Sequence, residues 1–269
     1  MTINEINKYN YYVNFEAIFF NLNNLINMNE KQKKFHQNGY LKLVNEVNFE
    51  LINNIRKDCF KKKIGTLYKD NKGKPRRLEN IYDKTKNLKS LNNHLIKLIK
   101  KIFKKKMVIF KDKCNLKPPG GSGFRPHYDG IFYFKNENKK LKKGWYEYSN
   151  YFLNVLVALD KCTKQNGSIE IGRWHNKNFD SLYENTKKNG SPELKNKFAK
   201  KIKFKLIELN AGDILFFSNK CPHQSKKNLS KSSRKVLYYT YAIGKKNIYK
   251  RYFLDKQKSL NKNSKSLPG

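Results

Sequence analysis

From residue 107 onward the chain is a succession of short apolar or alternating segments, and this pattern constrains the fold more than any other feature. The segments 107–117, 124–134, 151–159, 168–171, 202–209, 214–217 and 236–242 are each long enough for a strand. Turn residues such as Gly120, Gly121, Gly167 and Gly212 separate them. With so little helical pattern between the strands, the expected architecture is antiparallel, a barrel or double sheet. The one long interruption, 176–200, is polar, with a short helix expected over 192–200. The N-terminal third differs. A helix is expected over 30–37 and ended by Gly39, a strand over 40–44 and a helix over 49–60. Residues 61–80, with Gly65, Gly73 and Pro75, read as a basic loop. Leu88, Leu91, Leu95, Leu98, Ile99 and Ile102 then recur every three or four residues, an amphipathic helix with Lys and Asn on its other face. The fold class is mainly β, with helices packed against the sheets. The ordered domain is expected over 28–255, with an Asn-rich extension at 1–27 and a frayed basic tail at 256–269.

Charge is the second constraint. The 269 residues carry 59 Lys+Arg against 21 Asp+Glu, a net +38, which points to nucleic acid or another polyanion. A competing reading lies in the kind of base used: 52 are lysine and seven arginine, beside 36 asparagines and five alanines. Lys, Asn, Ile, Tyr and Phe have AT-rich codons, so base composition accounts for much of the charge without a polyanionic partner. Against that background each arginine marks a place where a planar fork matters.

No apolar run approaches the roughly 18 residues needed to span a bilayer, and Asn21, Asn23 and Asn24 interrupt the one apolar stretch near the N-terminus. Cys59, Cys114, Cys162 and Cys221 lie far apart with no Cys-X-X-Cys pair, which fits reduced thiols and a cytoplasmic setting.

Two histidine settings carry chemistry. In His127-Tyr128-Asp129 the imidazole and carboxylate are two apart on an expected strand and share a face. In Cys221-Pro222-His223-Gln224-Ser225 a second histidine follows a strand, and Arg234 lies eleven residues beyond it. Two nitrogen ligands and one oxygen ligand with open positions suit non-haem Fe(II). His94 and His175 read as surface or rim residues.

These segments, taken with Phe110 to Gly121, with Val157-Ala158-Leu159-Asp160 and Asn166-Gly167-Ser168-Ile169-Glu170, with Gly212-Asp213-Ile214-Leu215-Phe216-Phe217, and with Asn228, resemble the phytanoyl-CoA dioxygenase-like (PhyH) family over roughly residues 30–255. That family comprises Fe(II)- and 2-oxoglutarate-dependent oxygenases. The resemblance implies a double-stranded β-helix, a jelly-roll of the cupin-like kind, with His127, Asp129 and His223 as ligands of Fe(2+). It also implies that Arg234, helped by Ser225, holds the distal carboxylate of 2-oxoglutarate, O2 being the other co-substrate. Lys113, Asn115 and Lys117 alternate along a strand, so one side of it offers polar groups to the barrel interior, and Asn115 and Lys113 are expected as further co-substrate contacts.

The implied reaction is hydroxylation of a small metabolite with release of succinate and CO2. Related halogenases have a small residue in place of the carboxylate, so the intact Asp129 argues for hydroxylation. An anionic or zwitterionic substrate is expected, of the aminophosphonate, amino-acid-like or acyl kind. Arg125, Tyr128, Arg173 and Trp174 are candidate substrate contacts. Arg125 reads equally as a rim ion pair, and Tyr128, with Phe132, Tyr133 and Trp145, as ordinary packing. Ile171-Gly172-Arg173-Trp174-His175 departs from the family's Pro-Gly-Ser-His segment, so no particular substrate carries over. The alternatives are a non-catalytic nucleic-acid-binding protein and a nucleic-acid demethylase. The latter typically carries a second arginine six residues after the co-substrate arginine, where this chain has Thr240.

Overall fold

The computed structural model describes residues 28–61, 64–70, 73–135, 139–173, 179–187 and 191–262. The expected extension at 1–27, the last residues of the tail, and Trp174 and His175 lie outside them. Helix α1 (Glu30–Asn38) opens on a reciprocal Asn29–Gln32 capping box and closes at Gly39, whose φ of 78° is left-handed. Strand β1 (Tyr40–Leu43) and helix α2 (Phe49–Lys61) follow. Helix α3 (Lys86–Phe103) is capped by Thr85 and buries Leu88, Leu91, Leu95, Ile99 and Ile102, the stripe its periodicity predicts.

Between α2 and α3 the expected basic loop is instead a hairpin, β2 (Thr66–Lys69) and β3 (Pro75–Glu79). Its pairing is decided by tertiary context. β3 joins β4 (Val108–Lys117) with Leu78 opposite Cys114, so Leu78 enters the core. Arg77 and Glu79 share the other face as an ion pair of 3.0 Å. A charged face of this kind hides the period-two signal of a strand.

The remaining elements are β5 (Phe124–His127), the short pair β6 (Phe134–Lys135) and β7 (Leu141–Lys142), a 3₁₀ turn (Gly144–Glu147), β8 (Phe152–Ala158) and β9 (Ile169–Gly172). Then come α4 (Phe179–Glu184), α5 (Asn196–Ala199), β10 (Phe204–Leu206), β11 (Ile214–Ser218), β12 (His223–Ser225), β13 (Arg234–Ala242) and α6 (Ile248–Lys262). The helix expected over 192–200 contracts to α5, because Glu193 and Leu194 pair instead with the end of β5 and with Thr186. The expected domain boundary at 255 falls inside α6. That helix packs Tyr252 against Phe110 and places Lys256 on Glu79.

Two sheets face each other, seven strands in the order β1-β11-β8-β13-β4-β3-β2 and four in the order β10-β9-β12-β5. The described residues thus form a double-stranded β-helix. Alternation along the large sheet divides its residues. Val155, Val157, Leu237, Tyr239 and Phe216 pack against the N-terminal helices, whereas Leu156, Ala158, Leu215, Phe217 and Val236 face Ile169 and Ile171 of the small sheet. Asp112, fully buried on the helical side, accepts hydrogen bonds from the backbone of Asn80, Ile81 and Tyr82 and from the Tyr249 hydroxyl. All four cysteines are buried, and none forms a disulfide among the described residues. Among the described residues no helix is long and apolar enough to cross a membrane.

Candidate metal centre

The inter-sheet space opens at one end onto three ligand-type side chains. β5 and β12 pair antiparallel with His127 opposite His223. The strand stops at His127, so Asp129 stands just beyond it, in a bend continued by Gly130 at φ 75°. The shared strand face expected for His127 and Asp129 is therefore replaced by a turn that folds the carboxylate back toward both rings. Ligand atoms of His127, Asp129 and His223 all lie within 4.8 Å of one another, and the two imidazole centroids are 4.2 Å apart.

Each ligand is oriented from behind. His127 donates from Nδ1 to the Arg125 carbonyl at 2.7 Å, and His223 from Nδ1 to the Cys221 carbonyl at 3.1 Å. A carbonyl can only accept, so the proton is fixed on Nδ1 and each Nε2 lone pair is left free. Asn154 donates to Asp129 Oδ2 at 2.9 Å and is itself held by Thr240. Asn219 donates to the Asp129 carbonyl.

The electrostatics suit a cation. Burial, reinforced by His223, lowers His127 to about 3, and burial likewise lowers His223. Both rings are neutral at physiological pH. Burial works to raise Asp129, but His223, Lys113, His127 and Lys111 outweigh it and bring the carboxyl down to about 2. Two neutral imidazoles and one carboxylate are a donor set that fits divalent iron.

On the same inner face, Arg234 opens β13 opposite Lys117 at the end of β4. Arg234 is 2% exposed, donates from Nη1 to the Gly167 carbonyl at 2.9 Å, and has a buried Nε with no hydrogen-bond partner among the described residues. An orphaned guanidinium nitrogen without a carboxylate nearby fits an anionic guest. Lys117 Nζ donates to Gly167 O at 3.2 Å, Ser225 Oγ at 2.8 Å and Lys226 O at 2.6 Å. Gly167, at φ 72°, must be glycine: a Cβ there would lie 2.2 Å from Lys226 O. Ser225 Oγ also accepts from Phe124 N at 3.3 Å. With both acceptor sites used, its own hydrogen is left to donate.

The other expected contacts distribute unevenly. Asn115 is buried on the face that carries Lys113 and Lys117, between the two. Arg125 is a rim residue, 76% exposed and 3.7 Å from Glu193. Tyr128 is buried with Ile131, Leu182, Tyr183 and Leu194, in the packing role its sequence also allowed. Tyr133 stacks on Tyr183, and Trp145 packs on Phe110 and Phe152. Arg173 is exposed and donates to the Gln37 carbonyl. Lys117 lies on the inward side that the alternation with Lys113 and Asn115 gives, although only those two were expected as contacts. Asn154 was not expected at the site: it interrupts an apolar strand in a chain with 36 asparagines.

The fold matches solved structures at low sequence identity. The epimerase SnoN, solved in complex with Fe3+ and alpha ketoglutarate, superposes with a TM-score of 0.60 at 13% identity, covering 79% of this chain and 82% of that one. EctD from S. alaskensis, solved with 2-oxoglutarate and 5-hydroxyectoine, gives 0.60 at 15% identity, covering 78% and 75%. Among curated proteins, a 2-aminoethylphosphonate dioxygenase from an uncultured bacterium (HF130_AEPn_1) is 26% identical over 200 residues, 72% of this chain and 69% of its own length. A methylphosphonate hydroxylase from Gimesia maris is 28% identical over 154 residues, 56% of this chain and 52% of its own length. The phytanoyl-CoA dioxygenase (PhyH) family model matches residues 35–236, through every strand that carries the triad, so the chain belongs to the phytanoyl-CoA dioxygenase family of iron- and 2-oxoglutarate-dependent oxygenases.

Proposed function

We propose that this chain hydroxylates a small anionic or zwitterionic metabolite, with His127, Asp129 and His223 as iron ligands and Arg234 and Ser225 as the anchor for the distal carboxylate of 2-oxoglutarate. The observation that carries this reading is the convergence of two neutral imidazoles and one ionised carboxylate within 4.8 Å, on the same inner face as a buried arginine with an unused Nε. Iron, when bound, supplies the oxygen activation that couples decarboxylation of 2-oxoglutarate to succinate and CO2 with hydroxylation of a carbon.

The protein's contribution is orientation and shielding. The Arg125 and Cys221 carbonyls fix both histidine tautomers. Asn154 and Thr240 fix Asp129 from the opposite sheet. Three protein ligands on one side leave the remaining positions for co-substrates. Arg234 offers a fork and Ser225 a hydroxyl hydrogen to one carboxylate, which sets the direction of the co-substrate along β12 and β13. Phe217, edge-on to His223 at 5.1 Å, keeps water from that flank. A carboxylate at position 129 argues for hydroxylation over halogenation, and two relatives named for phosphonates support an anionic substrate.

The test is anaerobic reconstitution with Fe(II) and 2-oxoglutarate, then succinate release in air across a panel that includes 2-aminoethylphosphonate and methylphosphonate. Asp129→Ala is expected to abolish iron-dependent succinate formation. Full turnover by that variant, or no 2-oxoglutarate binding by the unaltered protein, would refute the assignment.

A further inference from the structure

The inner face of β4 carries more positive charge than the co-substrate anchor requires. Lys111, Lys113 and Lys117 all point to that side, with Asn115 between the last two. Lys117 spends its ammonium on three acceptors. Lys111 and Lys113 do not: among the described residues neither Nζ donates to an acceptor or meets a carboxylate at ion-pair distance. Their contacts are aromatic faces, Trp145 at 4.9 Å and Tyr252 at 5.7 Å for Lys111, and Tyr238 at 5.0 Å for Lys113. Both residues keep part of their surface open, although burial lowers both ammonium groups, Lys113 to about 7. Cations held in this way are costly unless an anion joins them.

Position separates their roles. Lys117 stands opposite Arg234 and shares its acceptor, the Gly167 carbonyl. Lys113 feels, and is felt by, the metal ligands, lowering His127, His223 and Asp129. Lys111 lies two residues further from the Arg234 end. It is opposite Thr240, which holds Asn154 and through it Asp129. Strand rise puts Lys111 roughly 20 Å along β4 from Lys117, in the row of Thr240 and Asn154 that holds Asp129. The one other carboxylate acting on Lys111 from outside its own stretch of strand is Glu79, already occupied by Arg77 at 3.0 Å and by Lys256. Apart from Asp129 and Asp112, the latter satisfied on the helical side, one carboxylate therefore faces Lys111, Lys113, Arg77 and Lys256.

We propose that Lys111, with Lys113 beside it, receives the anionic head of the substrate, and that this head is a dianion of the phosphonate or phosphate class. The assignment rests on the oxygenase reading above. Two unmatched ammonium groups neutralise a dianion, and lysine binds such a head as a point charge. The Trp145 and Tyr252 rings hold the Lys111 ammonium itself, so the charge is placed before substrate arrives. A head bound there leaves the substrate's carbon skeleton on the side of the triad.

The test uses full-length protein loaded anaerobically with Fe(II) and 2-oxoglutarate, observed by the visible absorption of the iron and co-substrate chelate. It is titrated with methylphosphonate, 2-aminoethylphosphonate and acetate. Both phosphonates are expected to perturb the band, with acetate at least about tenfold weaker. Lys111→Met is expected to weaken phosphonate binding roughly 10- to 100-fold, as for loss of a charge-assisted contact, with the 2-oxoglutarate Kd within about twofold of wild type. Lys111→Arg is expected to recover part of the phosphonate affinity. Equal phosphonate affinity in Lys111→Met and wild type, acetate binding as tightly as the phosphonates, or no response to either phosphonate would overturn the proposal alone. Failure of the band to form at all would overturn the oxygenase reading and this proposal with it. Methionine removes an unpaired buried charge and keeps the stem, so a thermal melt at or above that of wild type is expected.

Discussion

At Ser225 the direction of one hydrogen bond decides a role. Its oxygen accepts from Lys117 and from the Phe124 backbone, so the hydroxyl hydrogen can only be given away. Ser225→Ala is expected to weaken 2-oxoglutarate about tenfold, as for loss of a hydrogen bond to a charged group, while iron binding stays intact. Calorimetric titration in the presence of metal reads this directly, and an unchanged co-substrate Kd would remove Ser225 from the anchor. The clustering of His127, Asp129 and His223 and the inward placement of Arg234 were legible in the sequence because their types and order match a family pattern, and because arginine is scarce in this chain. Alternation with Lys113 and Asn115 also pointed Lys117 inward. Lys111 was not legible: a buried lysine and a solvated one are the same letter, and the sheet register opposite Thr240 is what turns it inward.

At the scale of elements, the helices and long strands were legible wherever burial alone sets the pattern. The stripe of α3 and the fully buried β8 and β11 are the clearest cases. The β2–β3 hairpin and α6 were not legible, since each is stabilised by the other and by charges that read as surface. Asp112 ties them together, accepting from the turn after β3 and from Tyr249 at the start of α6. Burial raises this carboxyl to about 6 against the opposing effect of those donors, so it is ionised at neutral pH. Asp112→Ala leaves backbone N–H groups buried without an acceptor and is expected to cost on the order of 3 to 5 kcal/mol, measured by urea unfolding. A loss below about 1 kcal/mol would show that the turn and α6 dock without it.

For the whole molecule, the buried lysines give stability a definite dependence on pH. Burial lowers Lys113 and Lys117 from 10.5 to about 7, helped by Lys111 and Arg234 respectively. Between those values the unfolded chain holds protons that the folded one has released, so the ligand-free protein should become more stable as pH rises from about 7 toward 10. An anion at the Arg234 end restores the Lys117 proton, so stabilisation by 2-oxoglutarate should shrink over the same range. Thermal melts at about pH 6.5 and 9, with and without co-substrate, check both signs; a ligand-free Tm that falls with pH would contradict the burial of these lysines. The order of strands carries one more consequence. β13 is the last strand among the described residues, yet it lies between β4 and β8 in the middle of the large sheet and brings Arg234 with it. During synthesis, β4 and β8 leave the ribosome well before the strand that joins them, each with an unpaired edge. The space between the sheets therefore has no partial version: its large wall closes only once residues 234–242 have been made, and a nascent chain stalled before them is an aggregation hazard.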